Sequence, residues 1–173
     1  GGTSVGDKDQ AVRALRDLGD LRFHRVRLRP GKPLAVADLP DHDAVGVAVP
    51  GKPVGAHAVT TLVARPLFRD DPLATVPARF ARDVGVGAEG FDYAIPVTLD
   101  DADGDTPDGT SGDVPSAFPL GHVDSPLPVY RETFDPSVLS ASTRATRADG
   151  FVLTREGVEA GERVDVVPYP VVE

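Results

Sequence analysis

Helical periodicity stops near residue 70 of this 173-residue chain, and that change constrains the fold more than any other feature. Before it, apolar residues recur at helical spacing between Asp7 and Gly19 and again over residues 54–68. After it, the apolar runs are short and are separated by proline and glycine, as is typical of strands and turns. The sequence therefore predicts a portion of a three-layer α/β sandwich over residues 1–75, followed by a small all-β barrel or sandwich over residues 76–173.

The boundaries within the first unit follow from local signals. We expect Asp7 to cap a helix that Gly19 ends, with Val12 and Leu15 on its apolar face. Strands are predicted at the next three apolar-rich runs, residues 23–29, 33–37 and 44–49, and the third is continuous enough to be a buried strand. Pro53 has the preferred position for the first residue of a second helix.

The second unit begins after a proline- and aspartate-containing segment, residues 69–77, which we interpret as a linker. Its strands are predicted at five runs, residues 91–99, 117–123, 127–133, 150–154 and 163–169. Residues 100–113 are poor in apolar residues and rich in Asp and Gly, which is typical of a mobile, solvated insertion.

Composition excludes several classes of function. The chain has no cysteine, so it has no disulfide and no thiolate nucleophile, and its four histidines lack the spacing of a zinc site. The net charge of −9 argues against nonspecific nucleic-acid binding, and no apolar run is long enough to cross a membrane. Aspartate supplies 21 of the 27 acidic residues, which favours a halophilic origin over a merely acidic protein. Because the sequence begins with Gly1 rather than Met, we expect it to be part of a longer protein.

Three segments have the chemistry of anion sites. Residues 1–9 form a glycine-rich turn before a helix, where backbone N–H groups and the helix dipole favour an anion, although many such loops are only tight turns. Residues 49–53 form a second rigid turn before a helix, which could equally be a simple strand-to-helix stop. Residues 22–33 are rich in Arg and contain no acidic residue.

The basic segment has two interpretations. In a continuous strand, Arg25, Arg27 and Arg29 share one face and span roughly 13 Å, the scale of a pyrophosphate with its neighbours. The alternative is a solvated edge strand whose arginines pair with surface carboxylates. The residues alone leave both open.

Taken together, these segments resemble a known family. GGTSVGDKD, then RFHRVRLRPGKP, then VPGKPV before a helix, in this order and at this spacing, are similar to the MoeA family of molybdopterin molybdenumtransferases, which includes the E domain of gephyrin. Residues 137–140, 148–153 and 160–166 match the last, small β domain of that family more loosely. The resemblance implies a MogA-like molybdopterin-binding fold for the first unit.

The resemblance also implies a function. Family members are cytoplasmic homodimers that insert molybdate into adenylated molybdopterin and release AMP, with Mg²⁺ as the implied cofactor and no nucleic-acid or membrane partner. Carried over by motif, the implied catalytic residues are Asp9, Arg25, Arg29 and Lys32. The implied substrate-binding residues are Gly2, Thr3, Ser4, Gly6, Pro33, Pro50, Gly51, Pro53 and Ser137.

Departures from the family pattern keep other functions open. Lys52 stands where the family has Asn, and Gly55 stands where it has Ser, so a hydroxyl that could contact an oxyanion is missing. These changes favour an alternative, a molybdopterin-binding carrier or sensor without catalysis, whereas Asp9 and Lys32 favour the enzyme. A scaffold role like the receptor clustering of gephyrin is a third hypothesis. The choice between molybdenum and tungsten, and the recipient enzyme, are not encoded in these motifs.

Overall fold

The computed structural model describes residues 9–100 and 114–170. Its helices are α1 (Gln10–Leu18), α2 (Pro53–Val59), α3 (Arg65–Arg69) and α4 (Pro136–Leu139). Its strands are β1 (Asp20–His24), β2 (Leu28–Arg29), β3 (Ala35–Leu39), β4 (Ala44–Ala48), β5 (Val76–Phe80), β6 (Asp92–Asp100), β7 (Ser116–Pro119), β8 (Gly150–Thr154) and β9 (Arg163–Pro168).

Helix α1 begins later than the sequence predicts. The residue that caps it is Asp9, not Asp7, because the Asp9 carboxylate accepts hydrogen bonds from the N–H groups of Ala11 and Val12 at 3.0 and 3.1 Å. Gly19 ends the helix as predicted, and its N–H donates to the Leu15 carbonyl.

A three-stranded antiparallel sheet of order β1-β3-β4 contacts α1. The helix packs closely on β4, since a Cβ at Gly46 would lie only 2.6 Å from Leu15 Cδ2. The prediction that residues 44–49 form a buried strand is wrong in its burial, because Val45 is 47% exposed. In the described part of the chain β4 has a single partner strand, β3, so it is an edge strand there.

The basic segment is not one strand. β1 ends at His24, Arg25 takes a left-handed φ of 78°, and β2 begins only at Leu28. The N–H of Arg25 donates to the Leu34 carbonyl at 2.8 Å, and the N–H of Val26 donates to the Lys32 carbonyl at 2.9 Å. These local bonds fold the segment back on itself, so the prediction that Arg25, Arg27 and Arg29 share one strand face is wrong.

The helix predicted over residues 54–68 is confirmed, with Pro53 in its first turn. It is interrupted by a π-helical turn, Thr60–Ala64, in which the Arg65 N–H donates to the Thr60 carbonyl five residues earlier. Pro66 explains the wider turn, because it has no N–H to donate to the carbonyl four residues before it.

The second sheet has six strands in the order β2-β6-β7-β5-β9-β8, and β6 also pairs with β8. The pairings of β5 to β9 therefore close a ring of five strands, to which β2 is added in parallel beside β6. Phe80, Ile95 and Phe151 are fully buried, and Val54 and Val59 of α2 belong to the same hydrophobic core. This core holds the second helix against the ring.

The predicted linker contains a strand, because β5 includes Pro77. Along β5 the N–H groups alternate in direction: Phe80 donates to Glu162 on the β9 side, and Arg79 donates to Pro115 on the β7 side. If residue 77 had an N–H, it would point toward β7, but the pairing of β7 with β5 begins only at Arg79. The proline therefore removes no hydrogen bond between strands.

Two further predictions differ from the structure. Residues 127–133 form no strand and make only isolated bridges, from Tyr130 to His122 and from Thr133 to Gly85. The run at residues 117–123 is a strand only to Pro119. The predicted insertion lies outside the described residues except for Asp100, which ends β6.

Candidate functional site

The described residues form an open cleft of about 480 Å³ where three separate segments of the chain meet. Residues 28–33 form one wall, and Pro50, Gly51, Lys52 and Gly55 form a second. Pro136, Ser137 and Ser140, in and beside α4, form the third. Predicted site residues far apart in sequence thus meet in one place.

Local structure holds the second and third walls together. The ammonium of Lys52 donates to the Ser137 carbonyl at 2.9 Å, and the N–H of Val54 donates to the Ser140 carbonyl at 3.3 Å. A side chain at Gly55 would crowd its own wall, because an added Cβ would lie 3.3 Å from Pro50 Cβ, whereas its distance of 3.6 Å to the Gly31 backbone nitrogen would be an ordinary contact. The side chain of Lys52, which replaces the family's Asn, therefore connects two walls of the cleft.

The charge of the cleft is positive. Arg29, Lys32 and Lys52 line it, and no Asp or Glu of the described residues does so. Neither Arg29 nor Lys32 forms an ion pair within residues 9–100 and 114–170. Because the chain as a whole carries a charge of −9, three cations at one cleft with no lining carboxylate among the described residues favour an anionic ligand.

A carboxylate lies just behind the third wall. The Ser137 hydroxyl and N–H both donate to Asp135 Oδ1, and the N–H bond is 2.8 Å long. Chiefly the Ser137 hydroxyl, with a smaller contribution from Lys52, holds the pKa of Asp135 below its usual value. The predicted substrate-binding hydroxyl of Ser137 is thus engaged with Asp135, and its carbonyl is engaged with Lys52.

The cleft contains some of the predicted site residues and not others. It is lined by six of them, Arg29, Lys32, Pro33, Pro50, Gly51 and Ser137. Asp9, Arg25 and Pro53 are not among its lining residues. Asp9 is 7% exposed at the start of α1, and Pro53 begins α2 behind the turn. Gly2, Thr3, Ser4 and Gly6 lie outside the described residues.

The sequence did not predict every residue at the cleft. Pro136 and Ser140 line it, and Phe91 contacts one of its lining cations, with its ring centroid 3.9 Å from Arg29 Cζ. Phe91 is brought there by the parallel pairing of β2 with β6, which joins positions more than 60 residues apart. Within the chain no local motif signals that contact.

The chain is similar in sequence to proteins of molybdenum cofactor biosynthesis. Residues 1–70 match the family model described as "probable molybdopterin binding domain". A molybdopterin molybdenumtransferase of Synechococcus elongatus is 40% identical over 69 residues, which is 39% of this chain and 17% of that protein. The Drosophila melanogaster protein "molybdenum cofactor synthesis protein cinnamon" is 42% identical over 71 residues, 40% of this chain and 11% of that protein.

The fold gives the same result over a longer range. The crystal structure of a MoeA protein from Pyrococcus horikosii superposes with a TM-score of 0.62 and 23% identity, covering 93% of this chain and 35% of that one. The sequence's resemblance to the MoeA family is confirmed. The MoeA-like chain spans well under half the length of these relatives, so what the whole proteins do applies here only as a proposal.

Proposed function

We propose that this chain acts in molybdenum cofactor biosynthesis, as the part of a molybdopterin molybdenumtransferase that binds adenylated molybdopterin in the cleft. The observation that carries the proposal is the convergence of Arg29, Lys32 and Lys52 on one cleft without a lining carboxylate. In the whole protein, molybdate would be inserted into the bound molybdopterin and AMP released. Both substrates and AMP are anions, so fixed cations bind and orient them.

The two cations of the first wall have different roles in this proposal. The guanidinium of Arg29 has N–H groups in a planar fork that can bind two phosphate oxygens at once. The ammonium of Lys32 is a compact charge on a longer, more flexible stem. Lys52 is held by the Ser137 carbonyl, so we assign it to shaping the cleft and to its overall positive charge.

The role of Asp9 distinguishes the enzyme from the carrier or sensor hypothesis. The Asp9 carboxylate caps α1 and is not among the residues that line the cleft, which supports a structural role and hence the carrier or sensor hypothesis. A catalytic Asp9 would have to orient donors or accept a proton, because a carboxylate does not attract an anionic substrate. The cations of the cleft suit either function, and we retain the enzyme as the leading proposal because similar proteins are molybdopterin molybdenumtransferases.

The described part of the chain contains no magnesium site built from protein ligands alone. No group of three or more His, Asp or Glu side chains within it could hold a metal ion. No carboxylate of that part lines the cleft either, whereas oxygen ligands are what Mg²⁺ prefers. We therefore derive no step through a magnesium ion bound by these residues.

The remaining features are proposed on the family resemblance. We propose that residues 1–75 complete an α/β molybdopterin-binding domain, that residues 76–173 form the small β domain, and that the protein is a cytoplasmic homodimer. The closed ring of β5 to β9 supports the second domain, to whose sheet β2 of the first unit is added. No helix within residues 9–100 and 114–170 is long and apolar enough to cross a membrane.

Release of AMP by the full-length protein tests the proposal. We expect release from adenylated molybdopterin to depend on molybdate and to fall strongly in an Asp9→Asn variant if Asp9 is catalytic. Asn caps helices about as well as Asp, so this substitution removes the charge while keeping the start of α1. Tight substrate binding without molybdate-dependent AMP release in the wild-type protein would contradict the enzyme and support the carrier or sensor.

A further inference from the structure

The ring of Phe91 faces both cations of the first wall of the cleft. Its centroid lies 3.9 Å from Arg29 Cζ and 5.8 Å from Lys32 Nζ, within the range of cation–π attraction. Phe91 is half-buried, packs against the hydrophobic core, and is not among the residues that line the cleft. It therefore contacts the cations without forming part of the cleft's lining.

Strand pairing fixes the position of this ring. β2 pairs in parallel with β6, with Arg29 opposite Tyr93, and the N–H of Asp92 donates to the Arg27 carbonyl at 2.7 Å. Phe91 immediately precedes these bonds, so its backbone is held next to the basic segment. The ring consequently does not depend on a flexible loop for its placement.

The neighbouring carboxylate does not compete for the cations. Asp92 is in an ion pair with Arg155, whose Nε lies 2.6 Å from Asp92 Oδ1. Among the described residues, Arg29 and Lys32 thus have an aromatic face instead of a carboxylate as their partner. An aromatic ring attracts a cation without neutralising its charge, so both groups keep their full attraction for an anion.

We propose that Phe91 is a positioning residue, which orders Arg29 and Lys32 so that they bind the phosphate-bearing end of the ligand. Stacking uses the flat face of the guanidinium and leaves its N–H edges able to donate in the plane. Long cationic side chains lose considerable rotamer freedom when they bind a ligand, and prior ordering reduces that loss. This inference rests on the proposed function only for the identity of the ligand, because ordered Arg29 and Lys32 side chains would bind any phosphate anion more tightly.

The chain offers a matched control. Phe118 stacks on Arg82 at 4.9 Å, outside the cleft, so Phe118→Leu removes the same kind of contact elsewhere. The probe is inorganic pyrophosphate, titrated calorimetrically into the full chain. We expect Phe91→Leu to weaken pyrophosphate binding roughly three- to tenfold, Phe91→Tyr to restore it, and Phe118→Leu to leave it unchanged.

A second measurement does not depend on the ligand. In NMR spectra, the ring current of Phe91 should shift the side-chain resonances of Arg29 upfield, and Phe91→Leu should remove that shift. Unshifted Arg29 resonances, no pyrophosphate binding by the wild type, or equal loss of binding in both Leu variants would each overturn the inference. Pyrophosphate binding that depends on Phe91, together with no binding of adenylated molybdopterin, would uphold it while contradicting the proposed function.

Discussion

The replacement of Gly31 by alanine tests the packing of the first wall. Gly31 lies at the centre of the PGKP motif with a φ of +134°, a conformation that L-residues rarely adopt. A Cβ added there would lie 2.8 Å from Val59 Cγ1 and 3.1 Å from Leu28 Cδ2. Val59 is fully buried in the core and has no free space to move into, whereas Leu28 also lines the cleft, so the 2.8 Å contact with Val59 is the one that resists an added Cβ.

The expected cost follows from these two effects. An unfavourable backbone conformation costs about 1–3 kcal/mol, and overpacking in a core costs about 1–3 kcal/mol. We expect Gly31→Ala to lower the free energy of unfolding by about 2–6 kcal/mol, a large share of the stability of an ordinary domain. The assay is urea unfolding followed by circular dichroism, at a salt concentration where the wild type unfolds in one transition.

Gly90→Ala is the control for the backbone effect alone. Gly90 also has a positive φ, of +76°, but an added Cβ would meet no heavy atom within 4 Å. We expect this variant to lose about 1–3 kcal/mol, less than Gly31→Ala. Equal losses in the two variants would refute the packing argument, and a loss under 0.5 kcal/mol in Gly31→Ala would refute the whole reasoning.

Two further predictions concern polar groups in the helix over residues 53–69. The Thr61 hydroxyl is fully buried and has no hydrogen-bond partner in the described part of the chain. Thr61→Val should therefore raise the free energy of unfolding by about 1 kcal/mol. A loss of stability on urea unfolding would show that the hydroxyl is bonded. Burial, with the Tyr169 ring centroid 3.9 Å away, lowers the pKa of His57 below 6.5. The unfolded chain therefore binds a proton at His57 more readily than the folded chain. The free energy of unfolding should fall as the pH drops from 6.5 through the pKa that His57 has in the folded chain. Compared at pH 7.5 and 5.5, His57→Phe should lose less stability on acidification than the wild type, and an equal loss would contradict the role of His57.

Much of the first unit could be predicted because its signals are local. Gly19 ends α1 and Pro53 begins α2 as the capping rules require, and the apolar spacing of residues 54–68 gives a helix. The π-helical turn was not predicted, although Pro66 gives a physical reason for it once the helix is known. The three motif segments predicted an anion site, and two of them line the cleft.

The errors arise where hydrogen bonds and strand pairings that the apolar pattern does not specify override it. Alternation in the basic segment predicted one strand, but hydrogen bonds from Arg25 and Val26 to the following loop end it at His24. Pro77 suggested a linker, but it occupies a position in β5 where no donor is needed. Phe91 reaches Arg29 only through the pairing of β2 with β6, which local sequence does not specify. The halophilic origin stays a prediction from composition.

Binding of adenylated molybdopterin to the chain and to its Arg29→Ala variant tests the central claim most directly. The claim is that the cationic cleft binds the phosphate-bearing ligand, and a charge-assisted hydrogen bond contributes about 1.5–3 kcal/mol. We predict a dissociation constant roughly ten- to a hundredfold higher for Arg29→Ala, with little change for Arg82→Ala, which removes an arginine outside the cleft. Equal affinities of the wild type and Arg29→Ala would contradict the account.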